Sequence, residues 1–175
     1  DQFNEKSKII INEAQNKAIS LNNQQVLPEH LLFSLASNGD EFFNELLVAC
    51  NSDKSAIIGD IEIELKKIPN VSGSNLNLFF SNELIRILEN AKEIKKEFND
   101  SFISPEVLLY SVLCHENPNI TKISKKNNLN KESLKFAILK LRKGQTIDDN
   151  QTKIESDVLK KFSVDLTELA KIGKL

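Results

Sequence analysis

An all-α fold is predicted, built as two pseudo-symmetric four-helix repeats that form one globular double-bundle domain. Three features of the 175-residue sequence lead there. The stretches "VLPEHLLFSL" and "ISPEVLLYSV" nearly coincide, with their prolines, Pro28 and Pro105, 77 residues apart. The same offset pairs Ile10 with Ile87, Ala14 with Ala91, Leu31 with Leu108, Ser34 with Ser111 and Ile61 with Ile138, without a gap. A single offset held over that length reads as an internal duplication. Apolar residues recur at helical spacing within each copy. Finally, Gly (5) and Pro (4) are scarce while Leu, Ile, Lys and Glu abound, so helix is the default state of the chain.

Each copy reads as four helices. The first runs from about Asn4 to Leu21, where Ile9, Ile10, Ala14 and Ala18 keep a 3.6-residue period and Asn4 is placed to cap. Its equivalent starts at Ser81, a good cap as well. The second begins at Pro28 or Pro105, because the missing N–H of proline costs nothing in the first turn. Glu29 and Glu106 there meet the positive end of the helix dipole. The run Leu31-Leu32-Phe33-Leu35 is too continuous for a surface helix, so this element is expected to be central. A short third helix covers Glu41–Cys50, or Pro118–Lys126 in the second copy. The fourth follows Asp53 or Asn130, both capping residues.

The boundaries follow from the same reading. Repeat one covers about 4–68, an inter-repeat loop carrying Pro69 and Gly73 covers 69–80, and repeat two covers about 81–143. "QTIDDNQTKIESD" is polar and without periodicity, so 144–157 is expected to be a flexible linker. Residues 158–175 turn apolar-periodic again and are too short to fold alone.

Composition excludes several function classes. A net charge of −2 gives no general attraction to nucleic acid or to an anionic membrane. No apolar run approaches the ~20 residues of a membrane span. Cys50 and Cys114 lack any Cys-x-x-Cys or histidine spacing and read as reduced core thiols of a cytoplasmic protein. His30 and His115 stand in no nucleophile–base or metal-ligand pattern, so catalytic and metal sites are expected to be absent. The basic run Lys140, Arg142, Lys143 and the pairs Lys95-Lys96 and Lys125-Lys126 are interleaved with acids and read as solvated helix faces.

The doubled Pro-Glu-x-Leu-Leu motif, the "IPNVSG" loop and the closing "LKKFSVDLTELAKIGKL" together resemble the amino-terminal domain of Clp-family AAA+ unfoldases, and within it the ClpB-type disaggregases. The resemblance implies that 158–175 begins the lead-in to a first ATPase domain. It implies a chaperone of the stress response that captures exposed apolar segments of unfolded or aggregated polypeptides in a groove between the repeats. By the same resemblance the full-length protein is a cytoplasmic homohexamer that uses ATP and magnesium and cooperates with the DnaK system. No Gly-x-x-x-x-Gly-Lys-Ser/Thr loop is present, so no cofactor and no enzyme activity are expected of these 175 residues. The resemblance carries polar substrate-binding positions onto Asn4, Asp100 and Glu106, and apolar ones onto Ile10, Leu88, Ile94 and Val107. Asp100 is the most informative of these, since its equivalent in the first copy is Asn23 and the fold does not demand an acid there. The alternative implied by the wider family is adaptor docking, as in ClpC- or ClpA-type unfoldases that serve a peptidase.

Overall fold

The structure is a computed structural model and describes residues 2–73, 77–151 and 154. The expected helices form where the caps and prolines place them. In the first copy these are α1 (Glu5–Ser20), α2 (Pro28–Asn38), α3 (Glu41–Ala49) and α4 (Lys54–Lys66). In the second they are α5 (Asn82–Ile94), continued by a 3-10 turn over Lys95–Phe98, then α6 (Pro105–Cys114), α7 (Pro118–Lys126) and α8 (Lys131–Arg142). Side chains satisfy the orphan N–H groups at most starts. Asn4 accepts from Ser7 N at 2.9 Å, Ser81 from Leu84 N at 3.0 Å and Asn130 from Ser133 N at 2.8 Å.

The duplication is visible in conformation as well as in sequence. Asn22 and Asn99 take left-handed backbone at equivalent turns, and so do Asn51 and Asn128. Asparagine suits this region because its short polar side chain lowers the usual penalty. The paired serines act alike too. Ser34 donates to Ile10 O at 2.6 Å, and Ser111 donates to Ile87 O at 2.7 Å, so each central helix is fastened to the first helix of its copy.

The copies interlock through pairings that the helical period does not announce. Strand β1 (Gln25–Val26) pairs in parallel with β2 (Phe79–Phe80), with Val26 against Phe80. Phe3 pairs in parallel with Ile103. Phe80 is the equivalent of Phe3, and Ile103 of Val26, so each copy lends its lead-in strand to the other. One apolar core therefore runs through both, with Ile10, Leu31 and Ile61 in the same cluster as Ile87, Leu108 and Ile138. The two cysteines are free, but Cys114 is exposed and Cys50 half-buried, so neither is the core thiol expected from its apolar neighbours. No helix among the described residues is long and apolar enough to cross a membrane.

The segment expected as a flexible linker over 144–157 is fastened to the domain in its described portion. After Lys143 and Gly144, both with positive φ, the chain turns back, and Ile147 and Ile154 are buried with Phe42. Two isoleucines in a polar stretch give no periodicity, which is why the contact is not legible by pattern. Residues 158–175, expected to begin the lead-in to an ATPase domain, lie outside the described residues.

His30 illustrates how the first copy is tied together. Its Nδ1 accepts from Leu27 N at 2.9 Å, which leaves Nε2–H to donate to Asn23 Oδ1 at 2.8 Å. Burial, with Lys17 nearby, lowers its pKa from 6.5 to about 4. The unfolded chain thus binds this proton where the native state refuses it. The stability held by neutral His30 is complete above pH 6.5 and is lost as the pH falls toward 4, by about 3 kcal/mol in all. Urea unfolding at pH 7 and pH 4 checks this: His30→Gln is expected to lose about 3 kcal/mol less on acidification than the parent chain.

Candidate functional site

The residues expected to rim a groove converge on a buried cation. Arg142, the last residue of α8, is 2 % exposed. Its Nη1 donates to Asp100 Oδ1 at 2.8 Å, and its Nη2 donates to Glu106 Oε2 at 2.9 Å and to Ser104 Oγ at 3.2 Å. Nε reaches Glu106 Oε2 at 3.3 Å, so one guanidinium edge straddles a single carboxylate oxygen. The guanidinium carbon also stands 5.5 Å from the Phe98 ring centroid.

Local sequence explains how these groups meet. Asn99 ends the 3-10 turn in left-handed conformation and starts the loop that carries Asp100. Glu106 follows Pro105 in the first turn of α6. Arg142 lies one turn beyond Ile138 on the buried face of α8, where the first copy has Leu65 at the equivalent place. Burial pushes the Glu106 carboxyl above its ordinary range, against the pull of Arg142. Burial alone would lower the Arg142 pKa, but Glu106 and Asp100 hold it above its usual value. The guanidinium therefore stays charged.

This arrangement corrects the expected acid-rimmed crease. Asp100 and Glu106 are turned inward and are both buried, with one oxygen of each bound to Arg142. Asn4 is buried as the cap of α1, and Ile10 and Val107 are fully enclosed in the core. Ile94 is buried as well. Leu88 alone among the expected residues keeps a half-open surface, and Ile85, one turn earlier on α5, is 44 % exposed. The first copy has Lys8 at the place of Ile85, so an apolar side chain there is not demanded by the fold. A separate hollow of about 180 Å³ lies beside α7, lined by Leu113, Ile120 and Leu129 among others, and contains none of the expected groove residues.

Arg142 also corrects the reading of the α8 basic run as a solvated face. The signal was present in the comparison of the two copies. Asp100 and Arg142 appear together in the second copy where Asn23 and Leu65 stand in the first, a paired change from neutral to charged. Among the described residues no group of His, Cys, Asp and Glu is arranged to hold a metal ion.

Comparison with known proteins agrees with the doubled architecture. The model of the Clp repeat (R) N-terminal domain matches residues 2–127. The chain belongs to the Clp N-terminal domain family. Along its whole length it is 34 % identical to the chaperone protein ClpB of Rickettsia typhi and 30 % identical to that of Mesorhizobium japonicum. It spans about a fifth of the length of these relatives, 20 % in each case. What matches is the Clp N-domain and not an ATPase module. The Hsp104 N-terminal domain of Candida albicans superposes with a TM-score of 0.74 at 24 % identity, over 86 % of this chain and 98 % of that one. The ClpV N-domain of Vibrio cholerae gives 0.67 at 17 % identity, over 79 % and 84 %.

Removing one member of a buried ionic cluster costs about 3–5 kcal/mol, because the partners keep their charge without compensation. Arg142→Leu, which installs the residue of the first copy, is expected to lose that much in urea unfolding. Adding Asp100→Asn and Glu106→Gln is expected to recover most of it.

Proposed function

We propose that this Clp N-domain receives exposed apolar segments of unfolded or aggregated polypeptides for an ATP-driven ClpB-type chaperone. The observation that carries the reading is the 34 % identity to a ClpB along the entire chain, within a family defined by this doubled helical unit. The working protein we envisage is a cytoplasmic homohexamer that draws on ATP and magnesium through its ATPase domains and cooperates with DnaK in disaggregation. The surface offered to the incoming chain is the α5 face bearing Ile85 and Leu88, since Ile85 stands open and Leu88, packed against the core on one side, stays half-exposed on the other. A contact this small, recognising many sequences, binds weakly, with Kd on the order of micromolar or poorer. Weak binding suits transfer, and six tethered copies supply avidity.

A second reading is docking of one dedicated partner peptide. It is favoured by a ClpV N-domain of the same fold found in complex with a VipB peptide, at a TM-score of 0.61 and 16 % identity. The two readings separate by breadth of recognition. Titration of several unrelated, permanently unfolded polypeptides against the 175-residue chain is expected to give similar weak affinities. Ile85→Ser/Leu88→Ser is expected to weaken all of them roughly tenfold. Affinity unchanged in that variant would remove the α5 face, and binding of a single sequence only would favour the dedicated partner.

A further inference from the structure

We infer that the cleft filled by the chain's own strap, residues 145–151 with Ile154, is a binding site for a polypeptide segment bearing aliphatic side chains, with the strap as its intramolecular competitor. This rests on the reading that the domain receives unfolded chains, and it concerns a surface separate from the α5 face.

The strap displays what the cleft accepts. Phe42 of α3, Phe102 of the loop before α6 and Leu141 of α8 enclose Ile147 and Ile154. Backbone groups of the strap bond to the domain as well, and Asn150 Nδ2 donates to Glu5 Oε1 at 3.4 Å. Ile147 N donates to Asp100 Oδ1 at 2.9 Å. Ile147 O accepts from Ser101 N at 2.8 Å and Phe102 N at 3.3 Å, and Asn150 O accepts from Glu5 N at 2.8 Å. Any residue except proline at the Ile147 place supplies the same N–H and C=O groups, so there the cleft selects an aliphatic side chain and not a particular sequence. Past Asp148 the strap bends and turns, with Gln151 N donating to Asp149 Oδ1 at 2.9 Å.

Two observations set the cleft apart from ordinary packing. Its walls have no counterpart at the pseudo-equivalent place, where Phe42, Phe102 and Leu141 correspond to Asn119, Gln25 and Glu64. A second greasy cleft would be expected if the fold required one. Asp100, whose side chain is fully buried, also keeps Oδ2 without a hydrogen-bond partner among the described residues. A buried acceptor left open beside a peptide-binding oxygen is capacity that the strap does not use.

The strap's grip is narrow. Between its two isoleucines, Asp148, Asp149, Asn150 and Gln151 are exposed. The two buried isoleucines and the strap's hydrogen bonds to the domain must offset the ordering of the segment, and these terms are of similar size. A strap so held yields to a competitor with better-matched side chains, and while bound it lowers the apparent affinity by the fraction of time the cleft is closed.

The test uses the 175-residue chain, a fluorescent carboxymethylated unfolded polypeptide, and a peptide of sequence 144–154. Ile147→Ser and Ile147→Ser/Ile154→Ser are expected to bind the polypeptide roughly tenfold more tightly than the parent, as for a cleft closed about nine-tenths of the time. The peptide is expected to displace the polypeptide from either variant and to compete poorly with the parent's tethered strap. Near-UV circular dichroism confirms the fold, and Ile154→Ser gives the reading if the double variant melts without cooperativity. A parent that binds, with affinity unmoved by the strap variants or by the peptide, overturns the cleft alone. Parent and variants that all fail to bind overturn the reading of function with it.

Discussion

Neither four-helix copy of this domain is complete by itself, because each lends its lead-in strand to the other. Phe3 lies along Ile103 and Phe80 along Val26, and the amide of the following cap residue bonds across in both places: Asn4 N to Ile103 O and Ser81 N to Val26 O, each at 3.0 Å. An unpaired strand edge next to the core would leave backbone groups without partners, so the exchange satisfies the two copies together or neither. The single core follows from this, and so does the placement of α2 and α6 against one another at its centre. The start of α1 is held against the loop before α6, and the strap then reaches Glu5 N from the other side.

Within that frame the second copy holds a charged contact where the first holds an apolar one. Leu65 of α4 needs nothing but neighbours, whereas Arg142 needs acceptors for its donors and finds Asp100, Glu106 and Ser104. A buried ionic cluster is a poor source of net stability, since desolvation consumes most of the attraction. Its effect is geometric. Asp100 Oδ1 accepts from both Arg142 and the backbone of Ile147, so the end of α8, the loop before α6 and the bound strap meet at one oxygen.

The helices were legible because caps, prolines and 3.6-residue periodicity all agreed, and the offset of Pro28 and Pro105 supplied the symmetry. Two-residue strands such as Gln25–Val26 carry no period to detect, and their partners lie in the other copy. The site was legible in its membership more than in its exposure. The resemblance marks Asp100 and Glu106, yet sequence spacing does not say whether an acid faces water or a hidden guanidinium. Arg142 looked like part of a basic surface run because Lys140 and Lys143 flank it, and only its register with Leu134 and Ile138 places it inward. Ile147 and Ile154 were lost in a polar stretch for the same reason, since burial there is decided by what the stretch lies against.

Asn128 donates its side-chain N–H to Asn51 O at 2.9 Å, and these two residues are equivalents. A position that touches its own counterpart marks where a two-fold axis passes, the signature of an isologous dimer interface. Geometrically, then, the domain is a dimer written into one chain. A true dimer must carry every substitution twice, on both sides of its axis. Covalent joining lifts that obligation, so a guanidinium can stand at Arg142 where the other copy has Leu65, and the cleft of Phe42, Phe102 and Leu141 can occur once, opposite Asn119, Gln25 and Glu64.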